Sequence, residues 1–128
     1  MAAGRILIVD DEVCICNALR RSFMREGYTM TTFTNPHEAC HAIAQLSFDA
    51  VIADYFMPQM TGLIVLEQAM NAAPDALRIL LTGQTDMQIA QDALQKGIVH
   101  RFFAKPWDES ALKEYLALNI NNKQKSLL

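Results

Sequence analysis

Asp10 and Asp11 form an acidic pair, Asp54 follows Ala53, Thr82 precedes Gly83, and Lys105 precedes Pro106. Brought into one crevice, the three carboxylates would repel one another, and burying them without partners is costly. A hard divalent cation resolves that conflict. Mg2+ suits a site that offers few carboxylates, a carbonyl and several waters. Such a site is also prepared for phosphate, because the metal bridges phosphoryl oxygens and neutralises charge during transfer. Lys105 would bring a point charge to a second phosphoryl oxygen and Thr82 a hydroxyl donor to a third. A carboxylate facing the open side of the metal is then a nucleophile for a phosphoryl donor. By spacing and position, Asp54 is that carboxylate.

The elements around these residues explain why they should meet. Short aliphatic and β-branched runs at residues 5–9, 29–33, 50–53, 78–81 and 99–103 alternate with amphipathic stretches of helical length. Ile6-Leu7-Ile8-Val9 and Ile79-Leu80-Leu81 are continuous apolar runs, as strands covered on both faces require. In the first helical stretch Ile15, Leu19, Ser22 and Phe23 share a face, and Gly27 supplies a stop. Asn35-Pro36-His37-Glu38 opens the second with a cap residue, Pro at the first helical position and Glu three after the cap. Residues 63–70 predict a third helix, 86–96 a fourth ended by Gly97, and 108–121 a fifth capped by Asp108. Strict alternation predicts a parallel sheet with helices on both faces. Right-handed crossovers then favour the doubly wound five-stranded order 2-1-3-4-5. Ligands of such sheets bind beyond the carboxyl ends of the strands where the order switches. Asp10-Asp11, Asp54, Thr82 and Lys105 each fall just after a predicted strand.

Composition narrows the alternatives. The chain has 128 residues, 52% hydrophobic and 20% charged, which fits one globular domain with a single core. Net charge is −3, and no stripe of Lys or Arg gathers to neutralise several phosphates, so direct nucleic-acid binding is not expected. Asp10 ends the first apolar run too soon for a signal-peptide core or a membrane span. Cys14, Cys16 and Cys40 lack metal-ligand spacing and read as free thiols of a reducing cytoplasm.

Taken together, Asp10-Asp11, Asp54-Tyr55-Phe56-Met57-Pro58, Thr82-Gly83 and Lys105-Pro106 resemble the motifs of two-component response regulator receiver domains, in that family's order and spacing. The resemblance covers residues 5 to about 120. It implies a flavodoxin-like α/β fold and a receiver domain over residues 1–121, with 122–128 as a polar tail or the start of a linker to an output domain. It implies Asp54 as phosphoacceptor, Asp11 as the main side-chain metal ligand, the Phe56 carbonyl as a further ligand, and Asp10 acting through water or hydrogen bonds. Thr82 and Lys105 would contact the phosphoryl group, and Phe102 occupies the aromatic switch position. The phosphoryl donor would be a sensor histidine kinase or a phosphotransfer protein. The domain would catalyse only its own phosphorylation and dephosphorylation, and would signal through its fourth helix, fifth strand and fifth helix.

Two positions depart from the common pattern: Phe56 stands where many relatives carry a polar residue, and Gln84, two after Thr82, is neutral. Both flank the path of an attacking water, so a bulky Phe56 is expected to lengthen the life of the phosphorylated form. The alternative function is a metal-dependent phosphohydrolase with an aspartyl-phosphate intermediate. Such enzymes carry an acid/base Asp where Phe56 stands, and need a cap insert that this chain lacks. His37-Glu38-Ala39-Cys40-His41 fits the H-E-x-x-H zinc pattern. Pro36 nonetheless places it in the first turns of a helix whose core side is Ala39, Cys40, Ile43 and Leu46, with the histidines toward solvent and no third ligand evident.

Overall fold

The structure, a computed structural model, describes residues 4–126, with side chains for residues 4–120. The strands are β1 (Gly4–Val9), β2 (Tyr28–Phe33), β3 (Ala50–Asp54), β4 (Leu77–Thr82) and β5 (Arg101–Ala104). The helices are α1 (Val13–Met24), α2 (Pro36–Gln45), α3 (Gly62–Ala72), α4 (Met87–Gln95) and α5 (Glu109–Ser126), with a 3-10 turn at Gln84–Asp86. The five strands form one sheet in the order β2-β1-β3-β4-β5, and every pairing is parallel. This is the doubly wound α/β fold expected from the alternation.

Each face of the sheet holds its own core. Leu7, Val9, Val51, Ala53 and Leu80 point to one side, where Ala39 and Ile43 of α2, Val65 and Leu66 of α3 and Ala90 and Ala93 of α4 cover them. Ile6, Ile8, Ile52, Ile79 and Leu81 point to the other, against Leu19 and Phe23 of α1 and Leu112 and Leu116 of α5. Alternate residues of a strand face opposite ways, so the continuous aliphatic runs feed both cores at once. Phe102 and Phe103 divide in the same manner: Phe102 packs on the first core and Phe103 is buried in the second.

Local signals set several boundaries. Asn35 caps α2 through its side chain, which accepts from the backbone N–H of His37 at 2.8 Å and of Glu38 at 3.4 Å. Asp108 caps α5, accepting from Ser110 N–H at 2.9 Å. Most boundaries shift by only one or two residues from the sequence expectation, and three of the differences have structural content. Strand β5 begins at Arg101 rather than residue 99, because Ile98 and Val99 still donate their N–H groups to the Ala93 carbonyl of α4, at 3.0 and 3.5 Å. The fourth helical stretch is preceded by the 3-10 turn, and α5 continues past residue 121 to Ser126. Leu127 and Leu128, the end of the expected tail, lie outside the described residues.

Candidate functional site

The strand order places the carboxyl ends of β1 and β3 side by side, with β4 and β5 following. Asp10 comes directly after β1 and Asp54 closes β3. In register, Asp54 lies opposite Leu81 and Thr82 opposite Ala104, so Thr82 and Lys105 arrive at the same rim as the acids.

Asp10, Asp11 and Asp54 converge: each offers a carboxylate oxygen within 4.8 Å of the others. Asp10 and Asp54 are 0% and 5% exposed, whereas Asp11 faces solvent. Lys105 Nζ lies 3.0 Å from Asp54 Oδ1 and 3.4 Å from Asp10 Oδ2. Glu12 N–H donates to Asp10 Oδ1 at 2.9 Å, which fixes that carboxylate. The Lys105 backbone is fixed as well, its N–H donating to the Thr82 carbonyl at 2.8 Å. Thr82 is fully buried, with its hydroxyl donating to the Gly83 carbonyl at 3.2 Å.

Electrostatics follow from this crowding. Burial raises the Asp10 pKa from the ordinary 3.8 to about 6; the Glu12 hydrogen bond opposes the rise, and the neighbouring Asp54 charge adds to it. Burial also raises Asp54, against the opposing pull of Lys105. For Lys105, burial works against the charge, but its contacts with Asp54 and Asp10 outweigh it and leave the pKa raised. One ammonium thus pairs with two of the three clustered carboxylates, and a single positive charge does not neutralise the group. An oxygen-only, under-neutralised, half-open donor set fits a hard divalent cation such as Mg2+.

Phe56 is 74% exposed, beside the acidic cluster in sequence and turned to solvent. Phe102, opposite Leu80, is half-buried on the face of the sheet that carries α4. His37, Glu38 and His41 are exposed on α2. Among the described residues the three aspartates are the one group of three or more His, Cys, Asp or Glu side chains that converge in this way. A cavity of about 470 Å³ adjoins the site at Lys105, lined also by Ile15, Pro106 and Trp107. A cavity of about 690 Å³ lies at the opposite, amino ends of the strands, between Leu46, Phe48 and Asp49 on one side and Pro74 and Ala76 on the other.

Gly62 was not legible in the sequence. A Cβ placed there would clash with the Asp54 carbonyl oxygen, and Gly62 N–H donates to the Tyr55 carbonyl at 2.9 Å. The start of α3 therefore presses directly on the backbone that carries Asp54, which only glycine allows. A glycine at the start of a predicted helix was the available signal.

A family model described as response regulator receiver domain matches residues 6–117. The DNA-binding transcriptional regulator NtrC of Salmonella typhimurium is 34% identical over 108 residues, which is 84% of this chain and 23% of that protein. The C4-dicarboxylate transport transcriptional regulatory protein DctD of Rhizobium meliloti is 31% identical over 106 residues, 83% of this chain and 23% of its own length. This chain thus spans about a quarter of the curated relatives it matches. Among solved structures, a CheY-like response regulator receiver domain protein from Methanospirillum hungatei superposes with a TM-score of 0.87 at 25% identity, covering 95% of this chain and 97% of that one. A structure described as adenylate cyclase from Rhodopirellula baltica gives 0.90 at 30% identity, with 99% and 93% covered.

Proposed function

We propose that this chain, which belongs to the response regulator receiver domain family, uses Asp54 as its phosphoacceptor. The observation that carries the reading is the convergence of Asp10, Asp11 and Asp54 with the Lys105 ammonium at the carboxyl ends of β1, β3 and β5.

A carboxylate oxygen of Asp54 attacks the phosphorus of a phosphohistidine on a sensor kinase or phosphotransfer protein. The P–N bond breaks, the imidazole leaves, and an acylphosphate forms on Asp54. Asp11, Asp54 and the Phe56 carbonyl would hold Mg2+, with Asp10 acting through water. When bound, the ion neutralises phosphoryl charge and orients the transferring oxygens. Lys105, already held at the lip of Asp54, takes a phosphoryl oxygen as a new partner. The new group brings about −1.5 to −2 charges and three acceptor oxygens. Thr82, whose hydroxyl is spent on a neighbouring carbonyl, gains a stronger acceptor only in that state and so biases its loop. Phe102, on the same side of the sheet as α4, follows Thr82 inward. The readout is the surface of α4, β5 and α5.

The chain acts on itself rather than turning over a substrate. A phosphohydrolase is not favoured, because the position of its acid/base residue holds the solvent-facing Phe56. No helix among the described residues is long and apolar enough to cross a membrane; the receiver family supports a cytoplasmic place for the domain. The relatives named as DNA-binding or transcriptional regulators are about four times its length, which supports a linked output domain as a partner. The net charge of −3 supports leaving DNA contact to such a partner.

Incubation with a small phosphoramidate, a stand-in for phosphohistidine, tests the reading. A hydroxylamine-sensitive acylphosphate should accumulate stoichiometrically with Mg2+ and not with a chelator. Continued release of phosphate without such an adduct would favour the hydrolase instead.

A further inference from the structure

Arg78 sits on β4 with 5% of its surface exposed, and none of its partners is a carboxylate. Its guanidinium donates to the Ile98 carbonyl through Nε at 2.8 Å and to the Gly97 carbonyl through Nη2 at 3.0 Å. Nη1 donates to the carbonyls of Pro74 at 3.1 Å and Ala76 at 3.3 Å. Burial lowers its pKa, but a guanidinium stays charged far above neutrality. A buried cation is costly unless fully hydrogen-bonded, and here backbone carbonyls alone meet that need. The planar fork reaches two segments at once: the approach to β4 and the turn that ends α4. The backbone adds to the clamp, since Arg78 N–H donates to His100 Nδ1 at 2.9 Å and His100 N–H to the Arg78 carbonyl at 2.8 Å.

The two ends of α4 are therefore held very differently. At the carboxyl end, Gly97 adopts φ +78, Ile98 bonds back to Ala93, and the Arg78 fork holds the Gly97 and Ile98 carbonyls. At the amino end, Thr82 leads through Gly83 and the 3-10 turn into Met87. Neither Gly83 nor Asp86 makes a side-chain capping bond there. Between the ends, only Ala90 and Ala93 of α4 are buried. Small side chains make a shallow, smooth contact that resists tilting less than interlocked large ones.

We infer that Arg78 is a positioning residue for the switch: it pins the carboxyl end of α4 to the sheet, so that a shift of Thr82 tilts α4 about Gly97 and Ile98 instead of sliding the whole helix. The inference rests on the receiver reading and adds to it. The surface that changes is the amino half of α4, while the turn at residues 96–100 keeps its place in both states. Methionine at 78 would fill the space but leave four carbonyl acceptors without their donor, and lysine could not span both segments with one ammonium.

Hydrogen exchange along the chain, with Mg2+ and with or without acetyl phosphate, tests this when the phosphoryl mass is followed in the same samples. In the native chain, phosphorylation should alter exchange at residues 84–91 by roughly fivefold or more and leave residues 97–100 unchanged. In Arg78→Lys and Arg78→Met the phosphorylation-dependent change should spread into 97–100. Reading the difference between states separates this from a general loss of stability, and the native gradient stands as a test even if Arg78→Met does not fold. Equal changes at both ends of α4 in the phosphorylated native chain would overturn the pin. So would an Arg78→Lys variant that keeps the native gradient. Failure to gain phosphoryl mass would overturn the receiver reading and the inference with it, a result distinct from the other two.

Discussion

Lys105 Nζ lies 3.0 Å from Asp54 Oδ1, brought there from the strand end two places away in the sheet. The same ammonium reaches Asp10 Oδ2 at 3.4 Å, so one flexible cation holds two buried acids. Removing it as Lys105→Met should leave both acids without a charged partner and raise their pKa values further. The expected cost is about 1–3 kcal/mol at pH 8, shrinking toward pH 5, where the acids can take up protons. Urea unfolding in a chelator at the two pH values checks this. An equal loss at both would show that the lysine matters only as packing.

Asp10 gives a pH dependence of definite sign. Its folded pKa of about 6 stands above the ordinary 3.8 because of burial, so the folded chain binds this proton more tightly than the unfolded one. The stabilisation is complete below about pH 4 and is lost as pH rises through about 6, on the order of 3 kcal/mol for this group in the metal-free chain. Asp10→Asn should remove that slope, so the stability difference between variant and native chain should grow from pH 4 to pH 7 in favour of the variant. Mg2+ should restore native stability at pH 7 by binding the folded state. Parallel stability curves for the two chains would contradict the assignment.

Gly62→Ala tests the contact between α3 and the Asp54 backbone. The added Cβ would clash with a carbonyl oxygen that cannot step aside without moving Asp54. The expected destabilisation is about 3 kcal/mol, the upper end for overpacking, with slower phosphorylation of whatever folds. A neutral effect on unfolding would mean that the loop yields easily.

Phe56→Asn addresses the lifetime of the phosphorylated form. Phe56 is 74% exposed and two residues beyond Asp54, so replacing it should not disturb the core. If its ring screens the phosphoryl group from water, phosphate loss should quicken by about tenfold, equivalent to roughly 1.4 kcal/mol in the barrier. Loss at an equal or slower rate in the variant would remove Phe56 from this role.

The parts of the site that could be read from sequence share one property: they stand at strand ends, where topology alone decides what meets. Asp10, Asp54, Thr82 and Lys105 are of this kind, and so is the division of Phe102 and Phe103 between faces. Gly62 was not readable, because its constraint is a contact with a backbone oxygen of another element. Arg78 was hidden for a related reason: its acceptors are four carbonyls, which any residue supplies. The early start assigned to β5 came from reading buried Val99 as strand, although its N–H still serves α4. The polar residues after 121, read as a tail or the start of a linker, continue α5 as far as Ser126, and Lys and Gln are good helix formers.

Intact mass after incubation with acetyl phosphate and Mg2+ tests the central claim most directly, comparing the native chain with Asp54→Asn. The native chain should gain the mass of a single phosphoryl group, and the variant none. Equal phosphorylation of both chains, or none in a folded native chain that binds Mg2+, would contradict the assignment of Asp54.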